Sequence, residues 1–144
     1  MSDGKVRSAL RDLVHRYASG LDRRRPEVVA GLFTEDGELV VHERDAPPRV
    51  YRGRAEIAEA TAALDRFAVT HHLVGNHLPD LTRDPPTAET YCDARHVYET
   101  PRGPRVFVMV ARYLDTFARD GDAWLFASRH IHVDWTEDRP LVQD

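Results

Sequence analysis

The second half of this chain constrains its fold more than any other stretch. Beyond residue 68 come four β-rich runs, 69–81, 88–99, 106–117 and 123–135, separated by Arg83-Asp84-Pro85-Pro86, Pro101-Arg102-Gly103-Pro104 and Arg119-Asp120-Gly121-Asp122. Proline, glycine and aspartate supply turns, and connections this short suit antiparallel neighbours, because a parallel crossover needs about a dozen residues or more. An antiparallel meander is therefore expected.

The first half reads differently. Val6, Leu10, Leu13, Val14, Tyr17 and Leu21 recur at spacings of three and four, the signature of an amphipathic helix ending near Asp22. After Asp22-Arg23-Arg24-Arg25, Pro26 suits the first position of a shorter helix through Val28, Val29 and Leu32. Glu35-Asp36-Gly37 signals a turn, followed by two strands of a hairpin, 38–42 and 49–52, with a loop containing Pro47-Pro48 between them. A third helix is expected over 54–67, where Ile57, Ala60, Leu64 and Phe67 keep helical spacing. Helices followed by a long, curved, mainly antiparallel sheet make an α+β domain with helices covering one sheet face. At 144 residues, a single domain spanning 1–144 is expected.

Charge narrows the partners. Twenty basic and twenty-four acidic residues are interspersed for a net −4, so no basic stripe offers itself to nucleic acid. No run approaches the roughly 18 apolar residues of a spanning helix, and Met1-Ser2-Asp3-Gly4-Lys5 lacks a signal-peptide core, so no membrane association and a cytoplasmic location are expected. The single cysteine, Cys92, has no intrachain partner and reads as a half-buried strand residue.

Strand alternation then sorts the polar residues. It places His72, Val74, Asn76 and Leu78 on one face and His71, Leu73 and His77 on the other. The run Val106-Phe107-Val108-Met109-Val110-Ala111 is apolar on both faces, which calls for a cover. A second copy of the chain is the simplest one, giving an expected homodimer through the sheet face. Asp22 reads either as a solvated carboxylate in a charged turn or as the partner of His72; an imidazole held by a carboxylate keeps a defined tautomer, as a general base needs. Arg129 shares parity with Leu125, Ala127, Ile131 and Val133, and so either clamps an internal carboxylate or awaits an oxyanion on a substrate. Tyr17 lies on the core side of the first helix. His130 and His132 share one face, and His71 and His77 another, but no spacing is diagnostic of a metal, so no metal is expected. Phosphate-binding glycine motifs and the Gly-x-Ser-x-Gly elbow are absent.

Taken in order, Tyr17-x4-Asp22, Leu32-Phe33-x2-Asp36-Gly37, Tyr51-x-Gly53-x3-Ile57, Thr70-x-His72-x2-Gly75-Asn76, Arg112-Tyr113-x-Asp115 and Trp124-x4-Arg129-x5-Trp135 resemble the SnoaL-like branch of the NTF2-like superfamily, over about residues 6–135. The resemblance implies a cone-shaped α+β barrel enclosing a deep pocket. It implies a cofactor-independent lyase or isomerase of dehydratase type acting on a small apolar, oxygenated molecule, with a polyketide or secondary-metabolite cyclase, or a non-catalytic ligand-binding or association protein, as alternatives. By motif position it implies His72 as catalytic base oriented by Asp22, and substrate contacts from Tyr17, Arg129, Asn76 and a polar residue on the second long strand. His96 is the nearest match for that residue, with Asp93 in reserve.

Overall fold

The computed structural model describes residues 2–142. Helix α1 (Asp3–Asp22) starts at Ser2, whose hydroxyl accepts the Lys5 backbone N–H at 3.3 Å. Its apolar stripe is buried from Leu10 through Leu13, Val14 and Tyr17 to Leu21. Helix α2 (Pro26–Gly31) opens on Pro26 and packs tightly on α1: a Cβ at Gly20 would sit 2.7 Å from Val29 Cγ2. Between the two helices Arg24 takes a left-handed conformation, φ 57°. Its guanidinium bonds Leu21 O at 3.0 Å, Thr70 Oγ1 at 2.7 Å and Phe67 O at 3.2 Å, which ties the helical corner to the sheet.

The strands are β1 (Phe33–His42), β2 (Arg49–Arg52), β3 (Val69–Asp80), β4 (Thr87–Thr100), β5 (Gly103–Asp120) and β6 (Ala123–Pro140). Helix α3 (Gly53–Ala62) and a 3-10 turn (Ala63–Arg66) stand between β2 and β3. One six-stranded sheet results, in the order β2-β1-β6-β5-β4-β3. The meander of β3 to β6 is antiparallel, as expected from the short turns. The joint between β1 and β6 is parallel, a pairing of distant segments that no local pattern reveals.

Several boundaries differ from the sequence reading: the third helix, expected to 67, gives way to the 3-10 turn after Ala62, and β5 extends past both ends of 106–117. Glu35-Asp36-Gly37 is an irregularity inside β1, which already begins at Phe33, so the expected turn is absorbed as a register shift between Phe33 and Glu38. Strand β6 continues beyond Trp135 to Pro140, because its last residues pair with the start of β5. Further register shifts lie at Val74/His77, Val110/Ala111 and Thr116/Phe117. Such bulges bend and twist long strands, and here they curl the sheet around the helices.

Inside that curl the core collects Leu10, Val14, Phe33, Ile57, Phe117 and Phe126, all essentially inaccessible. The two-sided apolarity of β5 has a partial answer within one chain. Val108, on the outer face, is 2% exposed, flanked in register by Arg95 on one side and Glu137 on the other. The long stems of such residues cover apolar surface while their charges stay wet. Leu73, Leu78, Tyr91 and Leu114 remain exposed.

Candidate active site

The C-terminal end of α1 meets the start of β3. Asp22 Oδ1 lies 2.7 Å from His72 Nδ1, and Asp22 Oδ2 accepts the His72 backbone N–H at 2.9 Å. The Thr70 hydroxyl donates to Asp22 Oδ1 at 2.9 Å, and Arg24 donates to Thr70 in turn. Burial pushes the Asp22 carboxyl up, but the hydrogen bonds and charge of His72, with Thr70, outweigh it and hold the group below its ordinary value of 3.8. A carboxylate there fixes the His72 tautomer: Nδ1–H donates to Asp22, which leaves Nε2 as the nitrogen free to take a proton. The imidazole itself is 6% exposed.

His72 lines a cavity of about 160 Å³. Apolar walls come from Leu21, Leu39, Ala94, Met109 and Ile131, with Tyr17, Cys92, His96 and Tyr113 among the groups that carry polar atoms. His96 stands edge-on to His72, ring centroids 5.5 Å apart. Its Nδ1 contacts the Phe107 carbonyl at 3.0 Å, so Nδ1 carries the proton and Nε2 is an acceptor. Burial lowers the His96 pKa below 6.5, against the opposing effect of that carbonyl, which keeps the ring neutral. Burial pushes the Tyr17 phenol up to about 12 although the nearby Arg129 guanidinium pulls the other way, so it remains a hydroxyl. The Cys92 thiol is also raised by burial and accepts the Tyr113 hydroxyl at 3.1 Å, a poor setting for a nucleophile.

Of the residues singled out in the sequence, Asp22 and His72 are in direct contact, and Tyr17 and His96 line the cavity with His72. The β3–β4 register pairs Thr70 with His96 and Leu73 with Asp93, so Asp93 points to the outer face, where Arg95 holds it. Two expected contacts are displaced. Asn76 is exposed and does not line the cavity, because the bulge at Val74/His77 reverses the alternation beyond it. His77 thereby turns inward to Thr90 Oγ1 at 2.8 Å, and Leu78 turns outward. Arg129 is wholly buried and does not line the cavity either. It makes a two-pronged ion pair with Asp115 at 2.7 and 2.8 Å and lies over the rings of Tyr17, Tyr113 and Phe126, so of its two readings the internal clamp is the one realised. Burial disfavours the Arg129 charge, but Asp115 more than compensates. Cys92 and Tyr113 were missed as lining residues. Alternation with His96 through Ala94 carried that signal for Cys92.

The profile of the family described as SnoaL-like domain matches residues 5–130. The chain belongs to that family. Its fold is the cone of the NTF2-like superfamily. No curated protein matches the chain's sequence. Among solved structures, a protein from Novosphingobium aromaticivorans described as a candidate scytalone dehydratase aligns with TM-score 0.79 at 23% identity, covering 100% of this chain and 99% of that one. The hexachlorocyclohexane dehydrochlorinase LinA-type3 from Novosphingobium barchaimii aligns with TM-score 0.75 at 16% identity over 97% and 96% of the two chains. ActVI-ORFA from Streptomyces coelicolor aligns with TM-score 0.69 at 24% identity over 90% and 98%. At these identities the alignments speak for the shared cone. Among the described residues, no helix of this SnoaL-like protein is long and apolar enough to cross a membrane.

Proposed function

We propose that this SnoaL-like protein is a cofactor-independent lyase or isomerase of dehydratase type, with His72 as its general base. The observation that carries the reading is the 2.7 Å contact between Asp22 and His72 at the wall of a mostly apolar cavity. Relatives of the same fold described as a candidate scytalone dehydratase and as a dehydrochlorinase support an elimination.

In this scheme His72 Nε2 removes a proton from a carbon beside a carbonyl. The electron pair of that C–H bond forms the new double bond, and the neighbouring C–O bond breaks toward the departing oxygen. The imidazolium, stabilised by Asp22, returns its proton to that oxygen, so that water leaves and the base is regenerated. Tyr17, held as a hydroxyl, donates a hydrogen bond to the oxygen that gains charge, and neutral His96 accepts one from a substrate hydroxyl. A cavity of about 160 Å³ fits a single-ring molecule, since a dry cavity of about 150 Å³ holds benzene.

The test needs no natural substrate. Small cyclic hydroxyketones in deuterated buffer are followed by NMR for exchange of the proton next to the carbonyl. General-base catalysis typically contributes about 10²- to 10⁴-fold, and His72→Gln is expected to lose a factor of that order. His71→Gln, one residue away and on the exposed face, is expected to keep full activity. Equal rates in wild type and His72→Gln would sink the proposal. A homodimer through the exposed outer residues Leu73, Leu78, Tyr91 and Leu114 is also proposed, as a cover for apolar surface that one chain leaves open.

A further inference from the structure

The sheet carries a second cluster of chemistry on its other face. On β1, Leu39 and Val41 line the cavity, and on β6 Ile131 does. His42, His130 and His132 occupy the alternate positions of these two strands and therefore project away from the cavity. The parallel register sets His42 beside His132 and Val40 beside His130, so three imidazoles meet at one point of the β1–β6 joint. One ligand atom from each can be chosen such that all three lie within 4.8 Å of one another. His42 Nε2 faces His130 Nδ1 at 2.9 Å, and the His132 ring stacks on that of His42 with centroids 4.3 Å apart.

We propose that His42, His130 and His132 form a binding site for a divalent first-row transition metal, with Zn²⁺ as its natural occupant. Imidazole nitrogen is a preferred ligand of zinc, and three histidines with an open fourth position are a recurrent zinc-binding set. The 2.9 Å contact between two ring nitrogens is a hydrogen bond carrying one proton between two lone pairs. An ion takes the place of that proton. Tetrahedral zinc with Zn–N of about 2.0–2.1 Å puts ligand nitrogens about 3.3 Å apart, so the pair opens by only a few tenths of an ångström, while His132 rotates toward the ion. All three rings are half-buried, which leaves them that freedom, and His130 and His132 also line a recess on the outer face through which an ion has access.

The charges around the cluster are compatible with a cation. Arg112 sits opposite His132 in register, but Asp134 holds it through two contacts of 3.1 Å and offsets its charge. Burial lowers the His132 pKa, and His42 and His130 lower it further, which favours the uncharged form that can ligate. A bound ion would cross-link the end of β1 to β6. From that end the chain runs through residues 43–48 into β2, whose Arg49 and Tyr51 line the cavity, so the ion would brace the wall that β2 contributes.

The experiment uses tag-free, chelator-stripped protein titrated with zinc chloride against a chromophoric chelator of micromolar affinity. The expected result is one ion per chain, with His42→Ala and His132→Ala each weakening binding by more than the 10- to 100-fold that loss of an outer-shell partner costs. His71→Ala, on the exposed edge strand, is expected to bind as wild type does. Circular dichroism checks each variant, and His42→Gln replaces His42→Ala if the latter does not fold. Cobalt loading gives a second readout, because its visible absorption reports nitrogen ligation and should vanish in the same variants. No binding by wild type, or binding undiminished in both His42 and His132 variants, overturns the proposal. Neither result bears on His72, which lies across the sheet.

Discussion

His96 shows how burial at a single residue sets a measurable property of the fold. Its ring is buried and neutral, with a pKa below 6.5, while in the unfolded chain it titrates near 6.5. Between the two values the unfolded chain binds the extra proton, so stability is full above about pH 6.5 and is lost as pH falls through the folded pKa. His72, Arg66 and Asp22 are the charged or titratable groups that act on it. Urea unfolding of wild type at pH 7.5, 6.5 and 5.5 is expected to show declining stability, and His96→Gln is expected to flatten the decline. A decline equally steep in His96→Gln would mean that other groups, His77 foremost since burial lowers its pKa too, carry the effect. The parts of the site that depend on one residue and its strand parity were legible in the sequence: Asp22 at a helix end, His72 on a strand, Tyr17 on a core stripe. Asn76 was misread because a bulge costs nothing that sequence advertises. Gly75 and Asn76 together oppose one residue of β4, and every residue beyond them changes face.

Among the elements, β5 and β6 are held together by more than their ladder. Asp115 on β5 and Arg129 on β6 are fully buried and joined by two short hydrogen bonds. Removing one member of such a pair leaves a charge in the interior, at a cost of about 3–5 kcal/mol, whereas replacing both with apolar residues is often neutral. Asp115→Asn is therefore expected to lower stability by about 3–5 kcal/mol, read as a fall in Tm of about 10 °C or more. The double variant Asp115→Leu, Arg129→Met is expected to recover most of it. If Asp115→Asn melts with wild type, the ion pair is not the tie described. Sequence parity correctly turned Arg129 inward but left its partner open, because the pairing depends on the register of β5 against β6. Helix periods and strand runs are local and were readable from spacing alone. The extent of β1 and of β6 was not, since both are lengthened by pairing with segments far away in the chain.

At the scale of the whole molecule, the outer face of the sheet is where the proposed homodimer would form. A strand β5 that is apolar on both sides calls for a cover, yet Val108 is shielded by its own chain. What remains includes the exposed residues Leu73, Leu78, Tyr91 and Leu114. Sedimentation velocity is expected to give a dimer at micromolar concentration, and Leu114→Glu is expected to shift it to monomer. A wild-type monomer at that concentration would remove the proposal. The cone was legible because it follows from the order of elements, helices first and a meander after. The cavity's size and the register of its polar lining were not, because both depend on the bulges that bend the sheet. The parallel joint of β1 with β6 has a consequence for how the protein comes into being. During synthesis β1 emerges early but its partner β6 is the last of the six strands made, so β1 must wait, with only β2 beside it, while β3, β4 and β5 are made. Closing so long a loop makes folding slow and leaves an unpaired strand edge exposed meanwhile. Cavity and three-histidine cluster alike can exist only after that final closure, so a nascent chain stopped short of β6 has neither.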